Sequence, residues 1–121
     1  MIPVKLIKSS EGSWINGEGE FNYRKKVRMD DVPQPVNLIQ DVVVPAGGTV
    51  KGHAHTQTSE IFYVTSGTVK IIVEGKEFTL AQSDMVLVDA GEEHAFANES
   101  DTDVELLVLK INYAKGDSLL G

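Results

Sequence analysis

The sequence predicts an all-β protein, an antiparallel sandwich or barrel of about ten short strands. Short runs rich in β-branched and aromatic residues recur along the chain, while the 3.6-residue period of amphipathic helices is hard to find. Clusters of Pro, Gly, Asp, Asn and Ser, such as DDVPQP, PAGG and NESDTD, separate these runs and have the chemistry of turns.

The strands are predicted, in chain order, from the runs between these turns. The first run belongs to an N-terminal extension over residues 1–20, and VEGKEF has the composition of a tight hairpin around Gly75. The tail AKGDSLLG, residues 114–121, is predicted to be loose or docked on a partner. The predicted strands are VKLI, FNYRKKVRM, VNLIQDVVV, TVKGHAH, EIFYVTS, TVKIIVE, KEFTL, MVLVD, HAFAN and VELLVLKIN.

Length and composition indicate one soluble globular domain over residues 1–121. The chain is 41% hydrophobic and 24% charged, and its length is enough to bury a core without covalent crosslinks. It has no cysteine, which excludes disulfides, thiolate metal sites and a cysteine nucleophile. No apolar run approaches the roughly 18–20 residues of a membrane span, and the N-terminus lacks the features of a secretory signal. A cytoplasmic protein with no membrane association is therefore the default prediction.

The charge distribution bears on the choice of partners. A formal net charge of −7 argues against nonspecific nucleic-acid binding, which needs a basic face. The basic cluster at 24–28 is interpreted as a solvated strand face, with an anion site as the alternative, and the acidic segment 89–105 as solvated surface. The expected partner is thus a small molecule. Apolar residues on both faces of several strands also predict a homodimer.

The three histidines carry the chemistry. His53 and His55 alternate along one strand, so their imidazoles project from the same face. Glu60 lies on the next strand, and an antiparallel return could bring its carboxylate beside them. His94 could reach the same point from a second strand pair. The imidazoles of His53 and His55 are thus close enough to share a metal ion, which Glu60 and His94 could also reach.

Two segments resemble the two motifs of the cupin family. GGTVKGHAHTQTSEIFYVTSG, residues 47–67, resembles the first motif, and SDMVLVDAGEEHAFAN, residues 83–98, resembles the second. Ser83 stands where the second motif has Gly, and Asp89 where it has Pro, and both departures lie in turns. The matching positions are Gly47, His53, His55, Glu60, Gly67, Gly91, His94 and Asn98.

The resemblance implies a small double-stranded β-helix barrel, a jelly-roll-like fold that is often dimeric. It also implies a divalent metal held in the barrel by His53, His55, Glu60 and His94. Independently, a set of three imidazoles and one carboxylate suits Mn, Fe, Co, Ni or Zn better than calcium or magnesium. An octahedral ion would keep two positions for water or substrate. The alternative is a closed tetrahedral zinc that only stabilises the barrel.

Other residues are candidates for the pocket or for orienting the ligands. By simple alternation Lys51 shares the face of the two neighbouring histidines and could meet an anionic substrate at the cavity mouth. Phe62 and Phe96 could line an apolar cavity or belong to the plain core. Gln40 could be a polar pocket residue if its register points inward. Met85 and Leu87 are interpreted as core.

A ligating histidine normally donates its second N–H to an acceptor. The candidate acceptors are Asn98, Gln57 and backbone carbonyls, and Asn98 could instead cap a turn. The predicted function is a metal-dependent enzyme, either dioxygenase-like or isomerase- and lyase-like, that acts on a small oxygen-rich metabolite. The alternatives are a non-catalytic binding module and a structural barrel that retains its metal.

Overall fold

A computed structural model describes residues 12–17, 19, 21–27, 37–114 and 116–120. The described residues form strands and turns without a helix, so none of them provides a helix long and apolar enough to cross a membrane. The predicted all-β class is confirmed, while the strand predicted at 4–7 lies outside the described residues. The strands are β1 (Ile15–Asn16), β2 (Asn22–Val27), β3 (Asn37–Val44), β4 (Thr49–His55), β5 (Ser59–Ser66), β6 (Val69–Val73), β7 (Lys76–Leu80), β8 (Met85–Val88), β9 (His94–Ala97), β10 (Val104–Ile111) and β11 (Ser118–Leu120).

The strands form two antiparallel sheets that enclose one core. One sheet has the order β1-β2-β3-β10-β5-β8 and the other the order β11-β4-β9-β6-β7. Strand β5 alternates buried and partly exposed residues along most of its length, as expected where one face of a sheet covers a core. The inward positions of both sheets form one apolar cluster that includes Val64, Ile71 and Leu106. Burial of each such side chain stabilises the fold by about 1.5–3 kcal/mol.

The register fixes which side chains share a layer between the sheets. Lys110 pairs with Glu60, and Val108 pairs with both Gln40 and Phe62. Because alternate residues face the same side, all these residues point inward. The layer of Lys110 and Glu60 lies at one end of the barrel, and the apolar layers follow toward the other end.

Strand β8 corrects the prediction that Met85 and Leu87 belong to the core. Tyr63 pairs with Met85 and Ile61 with Leu87, so these residues share the outer face of the sheet. Met85 is 62% exposed and Leu87 is 56% exposed. The run MVLVD is apolar on both faces, so its sequence alone does not indicate which face turns inward.

The two departures from the second motif have local structural explanations. Ser83 adopts a left-handed conformation with a φ of 73°, which glycine adopts with less strain. The backbone N–H of Asp89 donates a hydrogen bond of 2.7 Å to Oε1 of Glu92. Proline could not make that bond, because it has no N–H. Each departure from the motif therefore changes the local chemistry of a turn.

The described part of the C-terminal tail, which was predicted to be loose or docked on a partner, pairs with a strand of the same chain. Residues 118–120 of β11 pair with His53–His55 of β4, in antiparallel register. Just before β11, the carboxylate of Asp117 accepts hydrogen bonds from the connection between β4 and β5. The tail therefore lies beside two of the three histidines.

The predicted homodimer can be tested by placing a charge on the outer face of β8, where Met85 and Leu87 are exposed. We expect the wild-type chain to have twice the mass of one chain by light scattering, and Leu87→Glu to weaken association by more than about tenfold, because it would place an unpaired carboxylate in an apolar contact. Phe78→Glu is the matched control, since Phe78 is 48% exposed but lies on the other sheet. A wild-type protein that is monomeric at micromolar concentration would refute this prediction.

Candidate metal centre

Four side chains from three strands meet inside the barrel. His53 and His55 come from β4, Glu60 from the start of β5, and His94 from the first position of β9. One ligand atom from each lies within 4.8 Å of the others. His55, Glu60 and His94 are buried, and His94 is only 1% exposed. The structure thus brings together the four residues that the sequence analysis selected as metal ligands.

A β-bulge in β4 aims His53 into the barrel. Val50 pairs with Phe96 and His53 with His94, so three steps along β4 match two along β9. The extra residue lets both Val50 and His53 face inward, which simple alternation would not allow. Lys51 lies at this bulge, where simple alternation does not hold, and it is an exposed residue that lines the rim of the cavity, as the sequence analysis expected.

The donor atoms are close to one another, yet they are not satisfied as hydrogen bonds. Oε1 of Glu60 lies 2.8 Å from Nε2 of His55 and 3.0 Å from Nε2 of His94. These three buried atoms have no hydrogen-bond partner among the described residues. Buried polar atoms without partners are costly. Three such atoms converging on one point fit a metal ion, which would take the lone pairs that the protein leaves unused.

Backbone carbonyls orient two of the imidazoles. Nδ1 of His53 lies 2.7 Å from the carbonyl oxygen of Lys51, and Nδ1 of His94 lies 3.1 Å from that of Glu92. A carbonyl only accepts, so each Nδ1 carries the proton and each Nε2 keeps its lone pair. Of the three kinds of acceptor that were predicted, the structure shows backbone carbonyls in this role.

The structure places Asn98 and Gln57 elsewhere, which corrects their predicted contact with a ligating histidine. Nδ2 of Asn98 donates to the carbonyls of Val44, Pro45 and Thr102, at 3.0, 3.1 and 2.8 Å. Asn98 is therefore a turn-stabilising residue, the alternative raised from the sequence. The side chain of Gln57 is exposed.

Asn98→Ala is expected to destabilise the fold by about 2–4 kcal/mol and to leave metal affinity within about twofold. Asn98 is 1% exposed, and its removal would leave several buried carbonyls without a donor. Urea unfolding and metal titration of the folded protein would measure the two effects separately. Thr65→Ala is the control, because Thr65 is exposed and donates one bond, of 3.1 Å, to the carbonyl of Glu105. A matching loss of metal affinity in Asn98→Ala would return Asn98 to the site.

Two residues of the site have displaced pKa values. Burial lowers the pKa of His53, which keeps its imidazole neutral and able to bind a cation. Burial by itself would raise the pKa of Glu60, but the adjacent imidazoles of His55 and His94 and the charge of Lys110 outweigh it. The pKa of Glu60 therefore lies well below its usual value, and the carboxylate is ionised at neutral pH.

Acidification is expected to destabilise the metal-free protein. Because the folded-state pKa of His53 is lowered, its unfolded form takes up the proton first, and stability falls as pH drops below about 6.5. Glu60 adds a second loss below pH about 4.5, since its folded-state pKa is lowered too. Melting temperature against pH, measured with a chelator present, would show both steps. His53→Ala should lack the first step, and a wild-type melting temperature that does not fall below pH about 6.5 would contradict the prediction.

A cavity of about 370 Å³ is lined by three of the four candidate ligands, His53, His55 and Glu60. This volume lies within the range of small-molecule sites. Gln40, Phe62 and Phe96 line it, and all three are buried, so both phenylalanines belong to the core and to the cavity wall. Lys110 and Tyr113 also line it, although the sequence analysis did not select them. Alternation along VELLVLKI places Lys110 on the face of three buried residues, a signal that could have found it.

One curated protein is similar to this chain over most of the chain's length. The chain is 27% identical over 108 residues to mannose-1-phosphate guanylyltransferase of Klebsiella pneumoniae. The match covers 88% of this chain but only 23% of that protein. The chain thus spans about a quarter of the length of the relative that it matches.

Solved structures share the fold over most of the chain. A predicted oxalate decarboxylase from Thermotoga maritima has a TM-score of 0.81 at 24% identity, with 88% of this chain and 98% of that one covered. The polyketide cyclase RemF from Streptomyces resistomycificus has a TM-score of 0.82 at 17% identity, with 98% and 85% covered. At these identities the likeness shows the fold alone.

The family of the chain follows from its sequence. The profile of the cupin domain matches residues 40–110, which is more than half of the chain and includes all four candidate ligands. The structure has the two antiparallel sheets and the central histidine cluster that the resemblance implied. The chain belongs to the cupin family.

Proposed function

We propose that this cupin domain is a metal-dependent enzyme acting on a small oxygen-rich metabolite. The observation that carries the proposal is a group of three buried donor atoms, on His55, Glu60 and His94, that have no hydrogen-bond partner among the described residues. His55 and Glu60 also line a cavity of about 370 Å³. A purely structural site would not need an adjoining cavity of ligand size. The proposed chemistry is dioxygenase-like or isomerase- and lyase-like.

The donor set limits the metal. His53, His55 and His94 would provide neutral imidazoles, and Glu60 one carboxylate, a combination suited to Mn, Fe, Co, Ni or Zn. When bound, such an ion supplies Lewis acidity toward an oxygen-rich ligand, and a redox-active ion can also activate dioxygen.

The protein's own residues would prepare the ligand for that chemistry. The carboxamide of Gln40 is buried in the cavity wall, where it offers two N–H donors and one acceptor to a ligand oxygen. The rings of Phe62 and Phe96 pack against each other with centroids 4.8 Å apart, and they keep one wall of the cavity apolar. Exclusion of water by such a wall strengthens the polar contacts made to a bound ligand.

The solved relatives give limited support for an enzyme. Two of them are described as a predicted decarboxylase and a cyclase. Because one fold hosts many functions, these names support the class of enzyme only in a general way. The guanylyltransferase match covers too little of that protein for its activity to be carried over.

A non-catalytic binding module is the second candidate. Among the described residues that line the cavity, the one carboxylate is Glu60, which belongs to the candidate ligand set. A module that only holds a metabolite needs no separate acid or base. This candidate predicts tight binding of metal and ligand with no turnover.

Elemental analysis of protein purified without chelator is the first test, followed by titration of the metal-free protein with Mn(II), Fe(II), Co(II), Ni(II) and Zn(II). We expect uptake of one ion per site. Absence of uptake for every metal would refute the proposal. Screening of the iron-loaded protein for oxygen consumption with diketones and catechols, and of the manganese- and zinc-loaded forms for isomerisation or elimination, would then separate an enzyme from a binding module.

A further inference from the structure

We propose that the cavity selects an anionic ligand and that Lys110 is the residue that recognises its charge. This inference rests on the proposed function, since the anion would bind at the same centre. It goes beyond that function by assigning the ligand a class, a small organic anion with oxygen donors, and by giving a role to a residue outside the two family motifs.

Lys110 presents a largely enclosed ammonium group to the cavity. It lies on the inward face of β10, directly opposite Glu60 in the register. Its side chain is only 16% exposed, and Nζ lies 5.5 Å from the centroid of the Tyr113 ring. An enclosed charge is screened little by solvent, so it acts strongly on whatever enters the cavity.

The two oxygens of Glu60 face different groups. Oε1 lies near the imidazoles of His55 and His94, while Oε2 lies 3.9 Å from Nζ of Lys110. At this distance the pair attracts, but it is longer than a close charge-assisted hydrogen bond. The ammonium of Lys110 therefore lies beside the centre, where a ligand in the cavity could reach it.

The charges that line the cavity favour an anion. The described lining contains one carboxylate, Glu60, and two ammonium groups, Lys51 and Lys110. A divalent ion would add two more positive charges. The described lining thus carries more positive than negative groups, in a protein whose formal net charge is −7. Such a site concentrates anionic ligands in preference to neutral ligands of the same shape.

Lys110 is better placed for this role than Lys51. Lys51 lies at the bulge of β4 and is exposed, so solvent screens its charge. Lys110 lies in the same layer as Glu60, between the two sheets. A ligand bound at the centre would thus approach Lys110 inside the barrel.

The test uses the Co(II)-loaded protein with azide as the anionic probe and imidazole as the neutral probe. Both ligate Co(II), and binding is read from the visible absorption of the ion. We expect Lys110→Met to weaken azide binding by about tenfold or more and to change imidazole binding by less than about twofold. Co(II) affinity should be unchanged or higher in this variant, because removing a positive charge lessens repulsion of the ion.

Three further variants complete the test. Lys70→Met removes an equal charge from the surface, where Lys70 pairs with Glu77 and Glu99, and should leave both probes unaffected. Lys110→Arg should retain the azide preference. Lys110→Gln repeats the test with a polar side chain if the methionine variant folds poorly.

The outcomes separate the two proposals. If the wild-type protein takes up none of the five metals, Co(II) included, the proposed function fails and this inference fails with it. If Co(II) binds but the azide-to-imidazole ratio of both Lys110→Met and Lys110→Gln equals that of the wild type, only the role of Lys110 is overturned. An equal loss of azide binding in Lys70→Met would also overturn it, because the effect would then be one of overall charge.

Discussion

Replacement of His94 by alanine is expected to lower the affinity for Zn(II) or Mn(II) by more than about 100-fold. Loss of a residue that merely orients a ligand already costs 10–100-fold, so loss of a ligand should cost more. His94 is 1% exposed and its Nε2 lies 3.0 Å from Oε1 of Glu60, so no other described side chain could take its place without a change in packing. Competition with a chromophoric chelator would measure the dissociation constant.

The variant needs a control for folding, because removal of a buried imidazole leaves a cavity. His94→Gln keeps much of the volume and should show a similar loss of affinity with less destabilisation. Gln57→Ala alters an exposed side chain in the connection between β4 and β5, and should bind metal as the wild type does. If His94→Ala folds and binds metal with wild-type affinity, the four-residue ligand set is incorrect.

The strand alternation and the two motifs were sufficient to select the central cluster. Each of His53, His55, Glu60 and His94 lies where a period of two, an antiparallel return and the cupin resemblance place it. The selection succeeded because these signals are local in the chain. Residues a few positions apart on paired strands cannot be far apart in space.

Features that depend on exceptions to local rules were not predictable. The bulge in β4 interrupts the alternation of side chains along that strand, and the sequence does not show how many residues oppose it on β9. The outward direction of Leu87 depends on which strand β8 joins, since its run is apolar on both faces. Lys110 was missed for another reason. The alternation of buried residues along β10 points to the inward face for Lys110, but a single lysine near a strand end is typical of solvated surface.

The pairing of the C-terminal tail is another feature that could not be predicted from the sequence. Its run SLL is too short to distinguish a strand from a loose end, and pairing with β4 decides the matter. The role of Asp117 follows from hydrogen bonds to backbone groups about 60 residues earlier in the chain. No spacing or periodicity encodes such contacts.

Asp117→Ala is expected to lower metal affinity by about 10–100-fold, although Asp117 is not among the candidate ligands. Its carboxylate accepts hydrogen bonds from the connection between β4 and β5. Oδ1 accepts from the backbone N–H of Thr56 at 2.8 Å and from its hydroxyl, and Oδ2 accepts from the N–H groups of Gln57 and Thr58 at 2.8 and 2.9 Å. The hydroxyl of Thr58 donates a further bond of 3.0 Å to Oδ2.

This connection links two candidate ligands. His55 is the last residue of β4, and Glu60 is the second residue of β5, so only residues 56–59 separate them. Thr58 is buried at 2% exposure and also accepts, through Oγ1, a bond of 3.3 Å from the N–H of Ala114. The carboxylate thus sets the path of the chain between an imidazole and a carboxylate that must converge on the same point.

The pKa of Asp117 is consistent with this role. Partial burial would raise it, but the hydrogen bonds from Gln57, Thr58 and Thr56 hold the pKa below the ordinary value of 3.8. Because the folded-state pKa is lowered, the contribution of Asp117 is complete above pH about 3.8 and is lost only as the pH falls further. The hydrogen bonds to the Asp117 carboxylate are therefore fully formed at any pH at which the imidazoles are neutral enough to bind a metal.

Two variants separate positioning from plain stability. Asp117→Asn keeps the shape and one carbonyl acceptor, so it should retain more metal affinity than Asp117→Ala. Asp103→Ala is the control, because Asp103 also accepts a backbone bond, of 3.2 Å from Ala46, but lies near the start of β10, away from the site. It should change the melting temperature alone. If the folded Asp117→Ala protein keeps wild-type metal affinity while its melting temperature falls, Asp117 stabilises the tail without positioning His55 and Glu60.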